Sequence, residues 1–269
     1  MLAVIWRAIR DRKISLIAYS IGVAIFTEMY VAIFPSFADQ QDVFDELLEA
    51  YPDEIFEVLG LEKATFSLSE LEPWLATEQF SLVWPIMAVI FAVSFGGAQI
   101  ASEIEKGTIE VPLAQPIART RLFLGRYLAG LAHILVFVLI SVFAAIPLAA
   151  IHGIDYQLPN YFSMAALALL FATAVFSLSM LASSIFSEKG KSNFAVGGLI
   201  ILMYVINIIS AFLESLENLK YFSFFHYYDF SAALIDNSLD ATGLLVFAGV
   251  SLVAVALGLV LFNRRDIAV

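Results

Sequence analysis

Long apolar runs are the feature that most constrains this chain. Six segments hold about 20 mostly apolar residues each, the length that an α-helix needs to cross a bilayer. They are Ile14–Phe37, Phe80–Ile100, Leu122–Ile151, Tyr161–Phe186, Phe194–Leu213 and Thr242–Phe262. The 269 residues are 61% hydrophobic and 14% charged, whereas a soluble domain averages about 45–50% and about 25%. We therefore predict an all-α polytopic membrane protein with six transmembrane helices in a single domain, residues 1–269.

The basic residues predict how these helices are oriented. With the N-terminus in the cytoplasm, only Lys63 and Lys220 of the 14 Lys and Arg residues lie outside, which leaves twelve inside. Positive residues near span ends favour the cytoplasmic side. We expect a multi-pass protein of the cell (inner, cytoplasmic) membrane with both termini in the cytoplasm.

The first 13 residues have an amphipathic pattern. Leu2, Ile5, Trp6 and Ile9 share one helical face, and arginines occupy the other. The pattern predicts a helix at residues 1–13 that lies in the inner interface, anchored by Trp and Arg. The alternative is an extension of the first span.

Two outer segments differ sharply in composition. Residues 38–79 contain twelve acids and one base, so this segment carries the whole net charge of −11. We predict an acidic extracellular loop with short helices, either a solvated lid or a vestibule that attracts cations. Residues 214–240 are rich in aromatic residues and predict a re-entrant or interfacial hairpin at the outer headgroup level.

Residues for enzymatic chemistry are few. The three histidines, His133, His152 and His226, lie in neither an HExxH nor any other metal-binding pattern, and no GxSxG motif is present. Gly190-Lys191-Ser192 resembles the end of a phosphate-binding loop, but position 185 is Ile where that loop needs Gly. We predict no catalytic residue, no metal site and no cofactor bound by this chain itself.

Two polar residues inside the spans are candidates for a translocation path. Glu28 lies in the first span, where a charge is costly and often functional. It could line a polar path or a subunit interface, or it could extend to the outer membrane surface or pair locally. Asn207, in the fifth span, is a weaker candidate that helix–helix hydrogen bonding also explains.

The charged segment 101–121 separates the second and third spans. Ile100, Ile104 and Val111 can share one helical stripe, and Glu103, Lys106 and Glu110 another face. We expect the second span to continue as an amphipathic helix until Pro112, followed by a turn through Pro116. Arg119, Arg121 and Arg126 then lead back to the bilayer. Such a two-faced segment suits docking better than catalysis.

Motifs in this segment resemble those of the ABC-2 type ABC-transporter permeases. Those chains carry an E-x-G-T-x-E-like run and then P-[IV]-[SA]-R before a basic residue. Here these are Glu105-Lys106-Gly107-Thr108-Ile109-Glu110, Pro116-Ile117-Ala118-Arg119 and Arg126. The stretches "YPDEIFEVLG" and "LKYFSFFHYY" are also similar, although Phe224 stands where Pro often follows the Ser.

The resemblance implies an ABC-2 exporter-type transmembrane domain that works with a separate ABC ATP-binding subunit, which would bind ATP and Mg. A second permease chain, identical or different, and membrane lipid would be the other partners, and nucleic acid none. The docking contacts would be Glu103, Glu105, Lys106, Gly107, Thr108, Glu110, Pro116 and Arg119. The alternative function is a stand-alone secondary transporter or channel that uses Glu28 and the acidic outer loop.

Overall fold

The computed structural model describes residues 2–38, 70–115 and 117–266, which are largely helical. We number the described α-helices α1 to α12 in chain order. They are Leu2–Ala38, Leu71–Leu75, Val83–Gly97, Ala101–Glu105, Glu110–Leu113, Arg119–Phe143, Ala145–His152, Leu158–Ile185, Lys189–Phe212, Phe224–Tyr227, Phe230–Leu234 and Ala241–Arg264. A π-helical turn, Ala76–Phe80, follows α2, and a 3₁₀ helix, Glu214–Phe222, precedes α10.

The membrane-spanning helices confirm the predicted fold class. Within the described ranges, five helical stretches are long and apolar enough to cross a membrane by themselves. The pair Leu71–Phe80 and Val83–Gly97, bent by 48°, raises the number to six when it is counted as one span. The third span, Arg119–His152, contains both α6 and α7. The chain is therefore a multi-pass membrane protein.

Residues 2–13 do not form a separate helix. Helix α1 runs without a break from Leu2 to Ala38, so these residues correspond to the alternative, an extension of the first span. Its 37 residues make it about 55 Å long, well beyond the roughly 30 Å of a hydrocarbon core. The extra length lets its first turns pack on α6, where Val4 lies against Gly125.

The predicted acidic loop ends earlier than residue 79. Residues 71–80 are helical, and Leu71, Trp74 and Leu75 are buried. The Trp74 indole N–H donates to the Tyr30 carbonyl at 3.0 Å. The glutamates of this stretch made it resemble a loop, but Glu72 is buried and accepts a hydrogen bond from the Gln157 backbone N–H at 2.6 Å. The short helices predicted around residues 44–60 lie outside the described residues.

Helix α8 forms the centre of the bundle. It packs against α3, α6, α9 and α12. Of its most apolar 18-residue stretch, 67% is buried, whereas the corresponding stretches of α9 and α12 are 17% and 22% buried. Helices α6 and α8 approach closely at Gly130, where an added Cβ would lie 2.0 Å from the Phe176 ring. The less buried helices therefore present their apolar faces outward, where lipid or a partner can cover them.

Hydrogen bonds made by side chains define the two ends of the bundle. At the end that we call the charged end, Arg12 of α1 reaches Ala98, and Arg265 reaches Ser184. The start of α1 and the end of α12 therefore lie at this end. At the opposite end, His152 contacts Glu28.

The aromatic hairpin 214–240 packs into the bundle at that opposite end. Tyr228 is buried and stacks on Trp84, with ring centroids 6.1 Å apart and planes 7° from parallel. Asn160 at the start of α8 donates to the carbonyls of Leu234 and Ile235 at 2.9 and 3.1 Å. The segment therefore covers this end of the bundle and also contributes aromatic side chains to its surface.

Candidate functional site

The segment that we call the coupling segment, residues 101–121, lies at the charged end between α3 and α6. The prediction of one amphipathic helix that continues from the second span is wrong. The chain leaves helical geometry at residues 98–100, forms α4, turns at Gly107 and forms α5. Gly107 has φ +67°, a conformation that costs other residues more than glycine.

The prediction that Pro112 ends a helix is also wrong. Pro112 lies within α5, Glu110–Leu113, at the third position. An N–H in the first turn has no partner within its helix, so a proline there removes no hydrogen bond. The segment therefore contains two short helices joined at an angle rather than one long helix.

The apolar side of the segment also differs from the predicted stripe. Ile100 is buried, but Val111 is 54% exposed, and Ile109 is buried in its place. The turn at Gly107 changes the rotational phase of the chain, so the spacing of a single helix no longer applies. Ile109 anchors the turn while Val111 faces outward.

Glu103 forms an internal ion pair with Arg126. The Glu103 carboxylate accepts from the Arg126 guanidinium, and Arg126 also donates to the Gln99 carbonyl at 2.6 Å. Arg126 is 5% exposed, a burial that its place among the basic residues leading back to the bilayer did not indicate. The pair fixes α4 to α6, and the charge of Glu103 is used inside the protein.

Two further predicted docking residues also hold the segment in place. Glu105 accepts a hydrogen bond from the Lys189 backbone N–H at 3.0 Å. A carboxylate at the N-terminus of α9 is favourable because the helix dipole is positive there. Arg119 donates to the Arg265 carbonyl at 2.6 Å. These contacts join the coupling segment to the fifth span and to the C-terminal region.

The remaining described docking residues form an exposed tip, residues 106–110. Lys106, Gly107, Thr108 and Glu110 are all exposed. The backbone N–H groups of Thr108 and Ile109 both donate to the Glu103 carbonyl, at 2.9 and 3.2 Å. The tip therefore presents a cation and a carboxylate on a turn of fixed shape. Pro116 lies outside the described residues.

A cavity of about 320 Å³ lies beside the tip, between α1 and the coupling segment. Its wall carries charges of both signs, including Arg7, Asp11, Arg12 and Glu103. A cavity with mixed charges at the charged end suits contacts with the polar surface of a protein.

The two candidates for a translocation path lie on different helices. The Oε1 atom of Glu28 is 3.0 Å from Nε2 of His152, which is the local pairing that the sequence left open. Asn207 is half-buried on α9, and its backbone carbonyl accepts from the Ser210 hydroxyl at 2.9 Å. A role in translocation remains a prediction for both residues.

The sequence did not indicate the role of three residues at the charged end. Arg12, Ser183 and Arg265 each bind backbone groups at the end of a helix. Their common signal is a polar side chain near the end of an apolar run. That signal is weak, because it does not distinguish a side chain that faces water from one that faces protein.

The described residues contain no other obvious chemical centre. In the ranges 2–38, 70–115 and 117–266, no three His, Asp or Glu side chains lie together in a way that could hold a metal ion. What the fold and the site define is a multi-pass membrane protein with an anchored, exposed segment at one end.

A comparison with known families gives this class a more specific identity. The family described as "ABC-2 family transporter protein" matches residues 2–267, so the chain belongs to it. It is a permease subunit of an ABC transporter, and membership implies partnership with an ABC ATP-binding subunit. No curated protein matches the sequence significantly.

Proposed function

We propose that this chain is the membrane subunit of an ATP-driven exporter, and that the tip docks on the separate ATP-binding subunit. That subunit would bind ATP and Mg, since this chain has no phosphate-binding loop in its sequence. Two permease chains, identical or different, would complete the complex in the inner membrane. Both termini and the tip would then lie in the cytoplasm, as the basic residues predict.

The shape of the coupling segment carries the proposal. A segment that transmits force has to be exposed where it meets its partner and fixed where it meets the spans. Lys106, Thr108 and Glu110 meet the first condition, and the Glu103–Arg126 pair meets the second.

The mechanism follows from this arrangement. When two ATP-binding subunits close on ATP, each would move the tip that is seated on it. Because α4 is paired to α6 and follows α3, the displacement would reach the second and third spans together. Their movement would switch the space between two permease chains from one side of the membrane to the other.

The test exchanges charges on the tip. The variant Lys106→Glu with Glu110→Lys keeps the net charge but reverses each contact, and both side chains are exposed. The matched control is Glu217→Lys with Lys220→Glu, an ion pair at 2.7 Å on the 3₁₀ helix of the opposite end. Each tagged variant is co-expressed with a candidate ATP-binding subunit chosen by gene neighbourhood, and the complex is purified from the membrane.

The tip variant should lower the yield of the complex at least about tenfold, since opposed like charges cost several kcal/mol in an interface. The control should assemble like the wild type. Equal yields for the two variants would contradict docking through the tip. Reversing Glu103 is a poorer test, because it would leave the buried Arg126 without its partner.

The alternative of a stand-alone transporter gains no support from the described residues. The carboxylate of Glu28 contacts His152 on α7, which explains its presence without a transported ion.

A further inference from the structure

The chain between α3 and α4 is not helical, yet its carbonyl groups have partners. In this break, residues 98–100, the Ile100 carbonyl accepts from the Ile104 N–H at 3.1 Å, whereas the Ala98 and Gln99 carbonyls are bound by side chains from other helices. The Arg12 guanidinium donates to the Ala98 carbonyl at 2.6 Å, and Arg126 donates to Gln99 at 2.6 Å. Just before the break, the Ser183 hydroxyl donates to Gly97 at 3.2 Å. The three donors come from α1, α6 and α8.

The N–H groups on the other side of the break are bound as well. The backbone N–H groups of Ile100 and Ala101 both donate to the Ser183 oxygen, at 3.1 and 2.8 Å. A hydroxyl has one proton to donate and two lone pairs to accept with. Ser183 is completely buried, and these three bonds use its whole capacity.

The two guanidinium groups are held firmly. Arg126 is 5% exposed and pairs with Glu103 on α4. Arg12 lies over the Phe95 ring, 5.3 Å from its centroid, a cation–π contact with α3. Arg126 is buried and Arg12 is half-buried, and charges removed from water are stable only with such partners, so both side chains have little freedom to leave the break.

The geometry points to a mechanical joint at residues 98–100, in which Arg12, Arg126 and Ser183 are positioning residues. A displacement of α4 cannot occur without moving carbonyl and N–H groups that are bonded to the first, third and fourth spans. The joint therefore passes the movement of the coupling segment to these three spans at once. This inference rests on the proposed function, because it describes how that segment acts on the bundle.

The matched pair for a test is Ser183→Ala against Ser179→Ala. Both serines are completely buried on α8, and both donate to a carbonyl of α3, since Ser179 bonds Val93 at 2.9 Å. Only Ser183 reaches the break. A general loss of packing would affect both variants, whereas loss of the joint would affect one.

The readout follows movement at the opposite end of the bundle in the whole complex. The chain contains no cysteine, so Ile151→Cys and Leu213→Cys introduce the only labelling sites on it, and both positions are exposed. Pulsed electron paramagnetic resonance between spin labels at these positions gives their separation with and without ATP and vanadate. Complex yield and ATP hydrolysis are measured on the same samples.

Ser183→Ala should retain assembly and hydrolysis but lose at least about half of the ATP-dependent change in label separation. Ser179→Ala should retain all three. If the two variants change every readout equally, or if Ser183→Ala keeps the full change in label separation, the proposed joint at residues 98–100 is contradicted. Failure of the unsubstituted chain to bind the ATP-binding subunit would instead overturn the proposed function.

A second comparison covers the case in which Ser183→Ala does not fold. Arg12→Gln removes the charged donor to Ala98, and Arg10→Gln removes an exposed arginine from the same helix. Arg12→Gln should reduce the change in label separation, Arg12→Lys should restore part of it, and Arg10→Gln should have no effect. Identical behaviour of the three variants would equally overturn the joint.

Discussion

The contact between Gly130 and Phe176 offers a quantitative test of how α6 and α8 pack. A Cβ added at position 130 would lie 2.0 Å from Cζ of Phe176, well inside contact distance. Phe176 is completely buried. Its ring centroid lies 5.6 Å from that of Tyr127 and 6.2 Å from that of Phe95. The ring has no room to turn away, so Gly130→Ala must separate the helices or distort the ring.

The expected cost follows from this geometry. Overpacking a filled core costs about 1–3 kcal/mol, and each kcal/mol shifts the melting temperature of a chain this large by about 2–4 °C. We therefore expect Gly130→Ala to melt roughly 2–12 °C below the wild type. The measurement is thermal unfolding of the purified protein in detergent, followed by near-ultraviolet circular dichroism.

Two further variants test whether the close approach of Gly130 and Phe176 causes the loss. Phe176→Leu should cost about 1 kcal/mol by itself, but the double variant should be more stable than the sum of the two losses because the smaller side chain leaves space. Gly197→Ala is the control, since nothing lies within 4 Å of a Cβ added there. A normal melting temperature for Gly130→Ala, or strictly additive losses, would show that the close approach is wrong.

Three further predictions concern the tip and the opposite end. Gly107→Val should strain the positive φ by about 1–2 kcal/mol and lower the yield of the complex, whereas Gly107→Asn should be milder; co-purification compares them. Burial, with help from Lys220, lowers the pKa of His226 below its usual value of about 6.5. The hairpin should therefore lose stability as the pH falls below that value. Hydrogen exchange should show this loss in the wild type and not in His226→Asn. Glu28→Ala and His152→Ala should be coupled by about 0.2–1 kcal/mol in a double-mutant cycle of thermal stability, as a partly exposed pair; additive losses would argue against the pair.

The long apolar runs were predictable because their signal is local. A span such as Leu158–Ile185 needs only its own residues to be recognised. The start of the second span was not predictable in this way. Glu72 raises the polarity of residues 71–80, and only the Gln157 N–H on another part of the chain shows why a carboxylate can be buried there.

The coupling segment also has some features that were predictable from the sequence and others that were not. Its position and its charges were visible in the sequence, and the sequence motifs there indicated the family. The break at residues 98–100 was not visible, because Gln99 and Ile100 are ordinary helix residues. In the break, α1, α6 and α8 supply partners for carbonyl and N–H groups, and these partners lie far away along the chain.

The sequence by itself therefore determined the class of the protein, the position of its apolar spans and the location of the charged segment that we propose as the docking site, since hydropathy, charge and motifs are properties of neighbouring residues. Only the tertiary structure decided which charges are free. Glu103 and Lys106 are equally polar in sequence, but Glu103 faces the buried Arg126 while Lys106 is exposed. Pairing across helices depends on how the bundle packs, and that information lies in residues far apart along the chain.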